Sequence, residues 1–276
     1  MNILHLKKKL HEFLLEDIGT EDITTNAVFS SDDNTRGQII AKGEGYFSGG
    51  MVLKEGLAQL DQNIEVTIYK EEGESMAHGD VVASIQGPTR MVLSGERVLL
   101  NLLQRMSGIT SMTKRAVTIL NDASIGICDT RKTMPGLRMF DKYAVRCGGG
   151  VNHRFGLYDA VMIKDNHIAA AGSMTKAVEK VKRYAGHMVK IEVETTNVEE
   201  VKDAVSAGAD VIMFDNCAPE QIKEYTSLIP SAIQKEASGG IILDNLADYR
   251  NCGVDYISLG CLTHSVTASD LSFLIK

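Results

Sequence analysis

The sequence has few cysteines and no long apolar run. The cysteines are odd in number, widely spaced and without a CxxC pair: Cys128, Cys147, Cys217, Cys252 and Cys261. This pattern argues against both a disulfide framework and a zinc site, and it fits a reducing cytoplasm. No stretch approaches the roughly eighteen consecutive apolar residues of a membrane span, and the N-terminus lacks the pattern of a secretory signal. We therefore expect a cytoplasmic protein that does not engage a membrane.

Positive charge is also scarce. The chain has 29 Lys and Arg residues against 36 Asp and Glu residues, which gives a formal net charge of −7. Nucleic-acid binding usually requires a basic face that displaces counterions from phosphates, so we predict no nucleic-acid partner. Any site for an anion must be local. With 276 residues, 44% of them hydrophobic, the chain can bury a full core as one large domain or two.

The first part of the chain is predicted to be a small α+β unit. Apolar residues between positions 3 and 16 recur at helical spacing, and short β-like runs broken by glycines fill residues 37 to 88, with a helix at MVLKEGLAQL. A long helix is predicted from Thr89 to about Leu120. We place an N-terminal domain at residues 1–115, on which part of the C-terminal end can pack, and a second domain at 116–276.

The second part alternates strands and helices. Apolar strands are predicted at IGICDT, AVMIKDN, MVKIEVE, DVIMFDN and DYISLG, with amphipathic helices between several of them. Such alternation builds a parallel sheet. Polar or small residues end each strand, and in a β/α barrel the functional groups collect at that edge. A doubly wound open sheet alternates in the same way, but it usually has a Gly-rich dinucleotide loop after its first strand, which is not present here. We favour an α/β barrel, with room for an incomplete one.

Basic residues are concentrated in one stretch of this acidic chain, between Asp129 and His167. The basic positions within or at the end of this stretch are Arg131, Lys132, Arg138, Lys142, Arg146, His153, Arg154, Lys164 and His167. Arginine matches carboxylates and phosphates with two parallel hydrogen bonds, whereas lysine acts as a point charge. Turn residues and glycines interrupt the charges, which favours a site for a multiply anionic substrate over a solvated helix face.

Two carboxylates follow successive predicted strands. Glu194 and Asp215 lie at strand ends, where both could face one mouth and hold a divalent cation or stabilise a cationic sugar centre. Single carboxylates at such positions often only cap the next helix. Glu192 is a rival for Glu194, because it lies two residues earlier on the same face of the strand.

Glycine turns after the last two strands are candidates for phosphate binding. Ser238, Gly239 and Gly240 follow one predicted strand, and Gly260 ends the next, in SLGCLTH. Barrels often place a phosphate site in these late loops, with exposed backbone amides as donors. His264 is a further candidate donor.

Taken in order, several segments resemble the motifs of the quinolinate phosphoribosyltransferase family. They are EDIGTEDITT, ERVLLNLLQRMSGI, DTRKTMPGLR, KYAVRCGGGVNHRFGLYDAVMIKDNHI, IEVE, FDN, SGG and SLG. The resemblance spans nearly the whole chain, and the block through IKDNH is the most specific part. The sequence departs from the family pattern at Glu21, where glycine is frequent, and at Phe140-Asp141, where a Leu-Glu-like pair is usual. Neither departure is expected to touch a predicted ligand.

The resemblance implies an N-terminal α/β sandwich domain, an incomplete seven-stranded α/β barrel and a homodimer, or a higher oligomer, in which Arg105 completes the neighbouring subunit's site. It also implies that the chain forms nicotinate mononucleotide, pyrophosphate and CO2 from quinolinate and phosphoribosyl pyrophosphate in NAD biosynthesis. The implied substrate pocket consists of Thr130, Arg131, Lys132, His153, Arg154 and Lys164.

Further roles follow from the same resemblance. Lys132, Glu194 and Asp215 are the implied catalytic residues, with the two carboxylates facing the ribose and Mg²⁺, directly or through the magnesium pyrophosphate. The implied cradle for the 5-phosphate consists of Ser238, Gly239, Gly240, Leu259, Gly260 and Cys261, with His264 as a possible extra donor.

Three alternatives stay open on the sequence alone. A related protein associated with molybdenum-transport genes shares the motif pattern and acts on a different substrate. A buried Lys164 at a strand end could instead form a Schiff base in an aldolase-like barrel. A sensor of phosphorylated metabolites would keep the binding groups without requiring both Glu194 and Asp215.

Overall fold

The structure is a computed structural model that describes every residue from Met1 to Lys276. Its helices are α1 (Ile3–Ile18), α2 (Ile23–Val28), α3 (Gly50–Leu60), α4 (Thr89–Leu120), α5 (Arg138–Cys147), α6 (Asp165–Ala171), α7 (Met174–Tyr184), α8 (Val198–Ala207), α9 (Pro219–Thr226) and α10 (Cys261–His264). Its strands are β1 (Asn34–Ala41), β2 (Gly45–Tyr46), β3 (Glu65–Ile68), β4 (Ser75–Met76), β5 (Val81–Pro88), β6 (Gly126–Cys128), β7 (Val161–Ile163), β8 (Ile191–Thr195), β9 (Val211–Asp215), β10 (Gln234–Ser238), β11 (Tyr256–Ser258) and β12 (Leu271–Ile275). A helix long and apolar enough to cross a membrane is not among them.

The chain packs into two compact units that do not follow a single cut in the sequence. The first unit contains Met1–Lys114, Pro135–Gly149 and Ser265–Lys276, and the second contains Arg115–Met134 and Gly150–His264. The predicted domains, 1–115 and 116–276, share the first division near residue 115. The compact units also assign α5 and the C-terminal strand to the first unit. Packing of part of the C-terminal end on the first domain was expected, whereas the position of α5 was not.

The first unit is built on an antiparallel sheet with the strand order β12-β1-β5-β3. The C-terminal strand joins this sheet by pairing antiparallel with β1, with Ile39 opposite Phe273. Helix α1 starts where the side chain of Asn2 accepts hydrogen bonds from the amides of Leu4 and His5. Its inward stripe of leucines, at a spacing of four, is completely or almost completely buried: Leu6, Leu10 and Leu14.

The second unit is built on six parallel strands in the order β6-β11-β10-β9-β8-β7. Strands β7 to β11 lie side by side in chain order, and β6 pairs with β11, so only the pairing between β6 and β7 is missing from a closed ring. At the free edge of β6, Val151 forms an isolated parallel bridge with Cys128. The predicted incomplete barrel is confirmed, but it has six strands where seven were predicted, because only this single bridge occupies the seventh position.

Side chains of non-adjacent strands meet inside this curved sheet. Glu192 of β8 and Glu236 of β10, which have β9 between them, both lie within ion-pair distance of His153. Neighbouring strands are about 4.8 Å apart, so such a meeting requires that the sheet curve around its interior. The interior of the second unit is therefore partly polar. It lies directly beneath the carboxyl edge of the sheet, where the predicted functional residues are located.

Candidate active site

A cavity of about 300 Å³ lies in the second unit, where the parallel strands end. Most of the predicted pocket lines it: Thr130, Arg131, Lys132, His153, Arg154, Lys164 and Glu194. Met162, Met213 and Ser258 complete the lining and were not predicted. Thr130, Arg131 and Lys132 lie in the loop that follows β6, and the remaining lining residues come from later strands and loops. Residues far apart in sequence are thus brought to one place, as expected for the carboxyl edge of a barrel.

Two arginines of the cavity lining are suited to bind an anion. The Nε atom of Arg131 is buried and has no hydrogen-bond partner. Arg154 donates from Nη1 to the carbonyl oxygen of Ala160 at 3.1 Å. Burial, followed by the neighbouring charge of Arg131, lowers the pKa of Arg154 from its ordinary value. A buried N–H without an acceptor is costly, and two adjacent cations favour a shared anion, so this part of the cavity is suited to a carboxylate or phosphate.

Lys164 and Glu194 form an ion pair across adjacent strands of the cavity wall. Lys164 directly follows β7, and its amide donates to Nδ1 of His167 at 3.0 Å, which fixes the start of α6. The Nζ atom of Lys164 is engaged by a carboxylate in a cavity that also contains two arginines, which suits the binding of an anion better than attack on a carbonyl. The geometry therefore disfavours the Schiff-base alternative for Lys164.

The loop that carries Lys132 lies against the second predicted phosphate turn. The amide of Lys132 donates to Oγ1 of Thr130 at 3.0 Å, and its carbonyl accepts from the hydroxyl of Thr263 at 2.9 Å. A Cβ atom placed on Gly260 would lie 3.2 Å from Cδ of Lys132. Glycine at this position therefore leaves room for the lysine side chain.

Asp215 and the first predicted phosphate turn lie side by side, outside the cavity lining. Asp215 pairs in register with Ser238, and its carboxylate accepts from Nδ2 of Asn216 at 2.9 Å. Gly239 has a φ of +84°, and a Cβ atom there would approach Oδ1 of Asn216 to 2.5 Å. Met213, two residues before Asp215 and on the same face of β9, does line the cavity. The turn thus requires glycine and follows the same sheet edge.

A buried polar cluster lies further inside the barrel. Nε2 of His153 is 2.9 Å from Oε2 of Glu192 and 3.6 Å from Oε2 of Glu236. The hydroxyl of Ser258 donates to Oε1 of Glu236. Burial, followed by the charge of Glu192, raises the pKa of Glu236 to about 7. Glu192, the rival of Glu194, therefore serves this cluster and not the ion pair with Lys164. Sequence reasoning missed Glu236, which lies in the polar segment QKEAS.

A second cavity, of about 260 Å³, borders this cluster. It shares His153 and Arg154 with the first cavity. Its other walls include Glu192, Glu236 and residues from the starts of strands, such as Tyr256. The interior of the second unit is therefore open from both sides, with His153 and Arg154 between the two spaces.

Arg105 lies in the first unit, on α4, where it is held by a carboxylate. Its Nε and Nη2 atoms donate to the two oxygens of Asp141 at 2.8 and 2.7 Å, and Asp141 is completely buried. Asp141, one of the positions where the sequence departs from the family pattern, therefore contacts a predicted site residue. The role of Arg105 in a neighbouring subunit stays a prediction.

Part of the predicted basic cluster lies elsewhere. Arg138, Lys142 and Arg146 are on α5 in the first unit, and they do not line the cavity. Their spacing of four residues puts them on one face of a helix, where turns were expected. Lys142 is almost completely buried. The anion site is therefore formed by fewer cations than the whole basic stretch contains.

The combination of a barrel edge, two neighbouring arginines, one of them with an unpartnered N–H, and nearby carboxylates is typical of an enzyme that transforms a small, multiply anionic substrate. Comparison with known proteins narrows this class. The sequence model for the quinolinate phosphoribosyl transferase N-terminal domain matches residues 22–107, and that for the C-terminal domain matches residues 109–274. The chain belongs to the quinolinate phosphoribosyltransferase family.

Individual relatives agree over almost the full length. A probable nicotinate-nucleotide pyrophosphorylase (carboxylating) of Bacillus subtilis is 54% identical over 272 residues, which cover 99% of this chain and 94% of the relative. The solved structure of NadC from Streptococcus pyogenes has a TM-score of 0.96 at 39% identity and covers 100% of this chain and 98% of that one. The nicotinate-nucleotide pyrophosphorylase of Francisella tularensis has a TM-score of 0.92 at 36% identity, covering 100% and 98%.

Proposed function

We infer that the protein is an enzyme of NAD biosynthesis that converts quinolinate and phosphoribosyl pyrophosphate into nicotinate mononucleotide, pyrophosphate and CO2. The observation that carries this function is the buried Nε of Arg131, which has no partner and lies beside Arg154 in the cavity. A pyridine dicarboxylate offers the planar anionic groups that guanidinium groups bind with paired hydrogen bonds. The names of the relatives describe the same carboxylate chemistry.

The first chemical step requires mainly positioning and charge. The ring nitrogen of quinolinate attacks the anomeric carbon of the ribose, a C–N bond forms, and the C–O bond to pyrophosphate breaks. Arg131 and Arg154 hold the dicarboxylate so that the nitrogen points at the sugar, which converts an encounter of two substrates into a local reaction. Positive charge that develops on the ribose is stabilised by nearby carboxylates, for which Glu194 and Asp215 are the candidates.

The second step uses the product of the first. Once its nitrogen carries the ribose, the pyridine ring is cationic and accepts the electron pair that is released when the adjacent carboxylate leaves as CO2. A proton then replaces the carboxylate at that carbon. The protein needs no separate electron acceptor, and its task is to keep the ring and the remaining carboxylate in place.

Mg²⁺ is proposed to accompany the phosphoribosyl pyrophosphate. Oxygen donors are the ligands that Mg²⁺ prefers, and Glu194 and Asp215 offer carboxylate oxygens at the ends of adjacent strands, so the residues fit the ion, directly or through the pyrophosphate. When bound, the ion neutralises charge on the departing pyrophosphate. Lys132, which lines the cavity, is proposed to contact the same group.

The remaining roles are proposals as well. Ser238, Gly239 and Gly240, together with Leu259, Gly260 and Cys261, are proposed to bind the 5-phosphate. Two observations support this: both turns follow neighbouring parallel strands, and Gly239 has a backbone conformation that suits glycine. His264 would be an additional donor. We also propose a homodimer in which Arg105 reaches the neighbouring subunit's site. The cytoplasmic location stays a prediction of the cysteine pattern.

The test is release of labelled CO2 from carboxyl-labelled quinolinate, with phosphoribosyl pyrophosphate and Mg²⁺ omitted in turn. We expect release only when both are present, with an equal amount of nicotinate mononucleotide. Absence of release from folded protein would contradict the function and direct attention to the substrate of the molybdenum-associated relatives. CO2 release without nucleotide formation would contradict the order of the two steps.

A further inference from the structure

The cluster of His153, Glu192 and Glu236 has no part in the two chemical steps of the proposed reaction. The ligand atoms of the three side chains lie within 4.8 Å of one another. Both glutamates are buried, with 5% and 3% of their surfaces exposed. Oε1 of Glu192 is buried without a hydrogen-bond partner, so the cluster contains an acceptor that could take one more hydrogen bond. Two buried carboxylates at such close range require a proton or a cation nearby.

The hydrogen bonds of His153 show whether a proton or a metal cation lies between the two carboxylates. The backbone amide of Arg154 donates to Nδ1 of His153 at 2.8 Å, so Nδ1 acts as an acceptor and carries no proton. The ring proton is then on Nε2, from which it is donated to Glu192 at 2.9 Å. A metal ion bound at Nε2 would need the lone pair of that atom and a proton on Nδ1, facing an N–H group. The geometry therefore favours a hydrogen-bonded cluster over a metal site.

The same bonds connect the cluster to the cavity above it. His153 directly precedes Arg154, and its ring fixes the Arg154 amide through Nδ1. The guanidinium of Arg154 is fixed separately by the carbonyl of Ala160. Asp129 holds the other side of the turn, since its carboxylate accepts from the amide of His153 at 2.9 Å. Loss of the acceptor for Nε2 would release the ring and, with it, the backbone that carries Arg154.

We propose that Glu192 and Glu236 are positioning residues that orient the imidazole ring of His153 as the Nε2–H tautomer. Through Nδ1 the ring sets the backbone of Arg154, and so places its guanidinium for the carboxylate of quinolinate. This inference rests on the proposed function for the identity of that carboxylate. The raised pKa of Glu236 agrees with it, because a protonated Glu236 relieves repulsion from Glu192 at neutral pH.

The test compares two substitutions of Glu192. Glu192→Leu removes the acceptor at similar size, and we expect the KM for quinolinate to rise roughly five- to ten-fold, with a smaller change in the KM for phosphoribosyl pyrophosphate. Glu192→Gln keeps an acceptor oxygen and is expected to restore most of the affinity. Thr195→Val is the matched control: Thr195 is buried on the same strand but the opposite face, and its hydroxyl donates to the carbonyl of Met213 at 3.1 Å. It should lower stability without changing the KM for quinolinate.

A second readout does not depend on activity. The ¹⁵N chemical shifts of histidine-labelled protein without substrate distinguish the two neutral tautomers, and we expect Nε2–H for His153 in the wild type and a mixture in Glu192→Leu. A protonated Nδ1 in the wild type would overturn the proposal. So would equal changes in both KM values for Glu192→Leu. A wild type that releases no CO2, but has the expected tautomer, would instead contradict the proposed function alone.

Discussion

Glu236 is a buried carboxyl group whose replacement by glutamine should make the protein more stable at neutral and higher pH. Glutamine has nearly the same shape, can still accept a hydrogen bond from Ser258, and has no proton to lose. In the wild type, burial and then the charge of Glu192 raise the pKa of Glu236 from 4.5 to about 7. The folded protein therefore retains a proton that the unfolded chain releases.

The magnitude follows from that difference in pKa. Each pH unit between 4.5 and about 7 corresponds to about 1.4 kcal/mol, so the whole interval amounts to about 3 kcal/mol. Because the folded state binds more protons in this interval, the free energy of unfolding of the wild type falls as the pH rises through it. Above the folded pKa the loss is complete. In Glu236→Gln this contribution is missing at every pH.

The assay is urea unfolding of both proteins between about pH 5 and 8, because subtraction cancels the titration of the groups that do not interact with Glu236. We expect the difference in unfolding free energy to shift in favour of Glu236→Gln by a total approaching about 3 kcal/mol, mostly below pH 7. Glu179→Gln is the matched control for the loss of one carboxylate, since 57% of the Glu179 side chain is exposed. A constant difference for Glu236→Gln would mean that folding does not raise the pKa of Glu236.

Three further predictions concern the site. Arg131→Ala should raise the KM for quinolinate by about ten- to one-hundred-fold, since a charge-assisted hydrogen bond to a carboxylate is lost, and should raise the KM for phosphoribosyl pyrophosphate less. Equal changes of both KM values in steady-state assays would contradict the assignment of Arg131 to quinolinate. If Arg105 acts in the neighbouring subunit, Arg105→Ala and Arg131→Ala dimers that are mixed under subunit exchange should regain wild-type function in up to about a quarter of the sites, measured at quinolinate well below the raised KM. No recovery in these hybrids would argue against a shared site. Gly239→Ala places a methyl group against Asn216 at a residue with positive φ. It should lower the free energy of unfolding in urea by about 1–3 kcal/mol and weaken binding of the phosphoribosyl donor. Unchanged stability would contradict the requirement for glycine in this turn.

Much of the fold could be predicted from periodicity. The helix predicted from Thr89 to about Leu120 is confirmed as α4, and the predicted opening helix as α1. The apolar runs before the functional residues are confirmed as parallel strands. These elements could be predicted because each shows its burial in its own sequence, as an apolar stripe or an apolar run.

Elements with polar interiors were harder to predict. Strand β10 reads QKEAS, yet Glu236 within it is buried, because its partners come from β8, β11 and the segment after Val151. No local pattern reports such a contact. Helix α5 does carry a local signal, because Arg138, Lys142 and Arg146 recur every four residues and so indicate a helix face, although turn residues and glycines flank them.

In the site too, the sequence predicts which residues come together but not how they pair. The cavity brings together the residues that the family motifs placed in the pocket, but motifs do not reveal that Arg131 has an unsatisfied N–H or that Glu194 pairs with Lys164. The partnership of Arg105 and Asp141 also depends on packing between α4 and α5, which are not adjacent in the sequence. Pairings of this kind follow from three-dimensional packing and not from spacing along the chain.

Binding of a pyridine ring through its carboxylates, with Arg131 as an essential partner, can be measured without turnover. Calorimetry would compare quinolinate with nicotinate, which lacks the second carboxylate, on the wild type and on Arg131→Ala. We expect the wild type to bind quinolinate more tightly than nicotinate and Arg131→Ala to lose most of this preference. Equal affinity of the wild type for both compounds, or a preference that survives the substitution, would contradict the proposed role of the cavity.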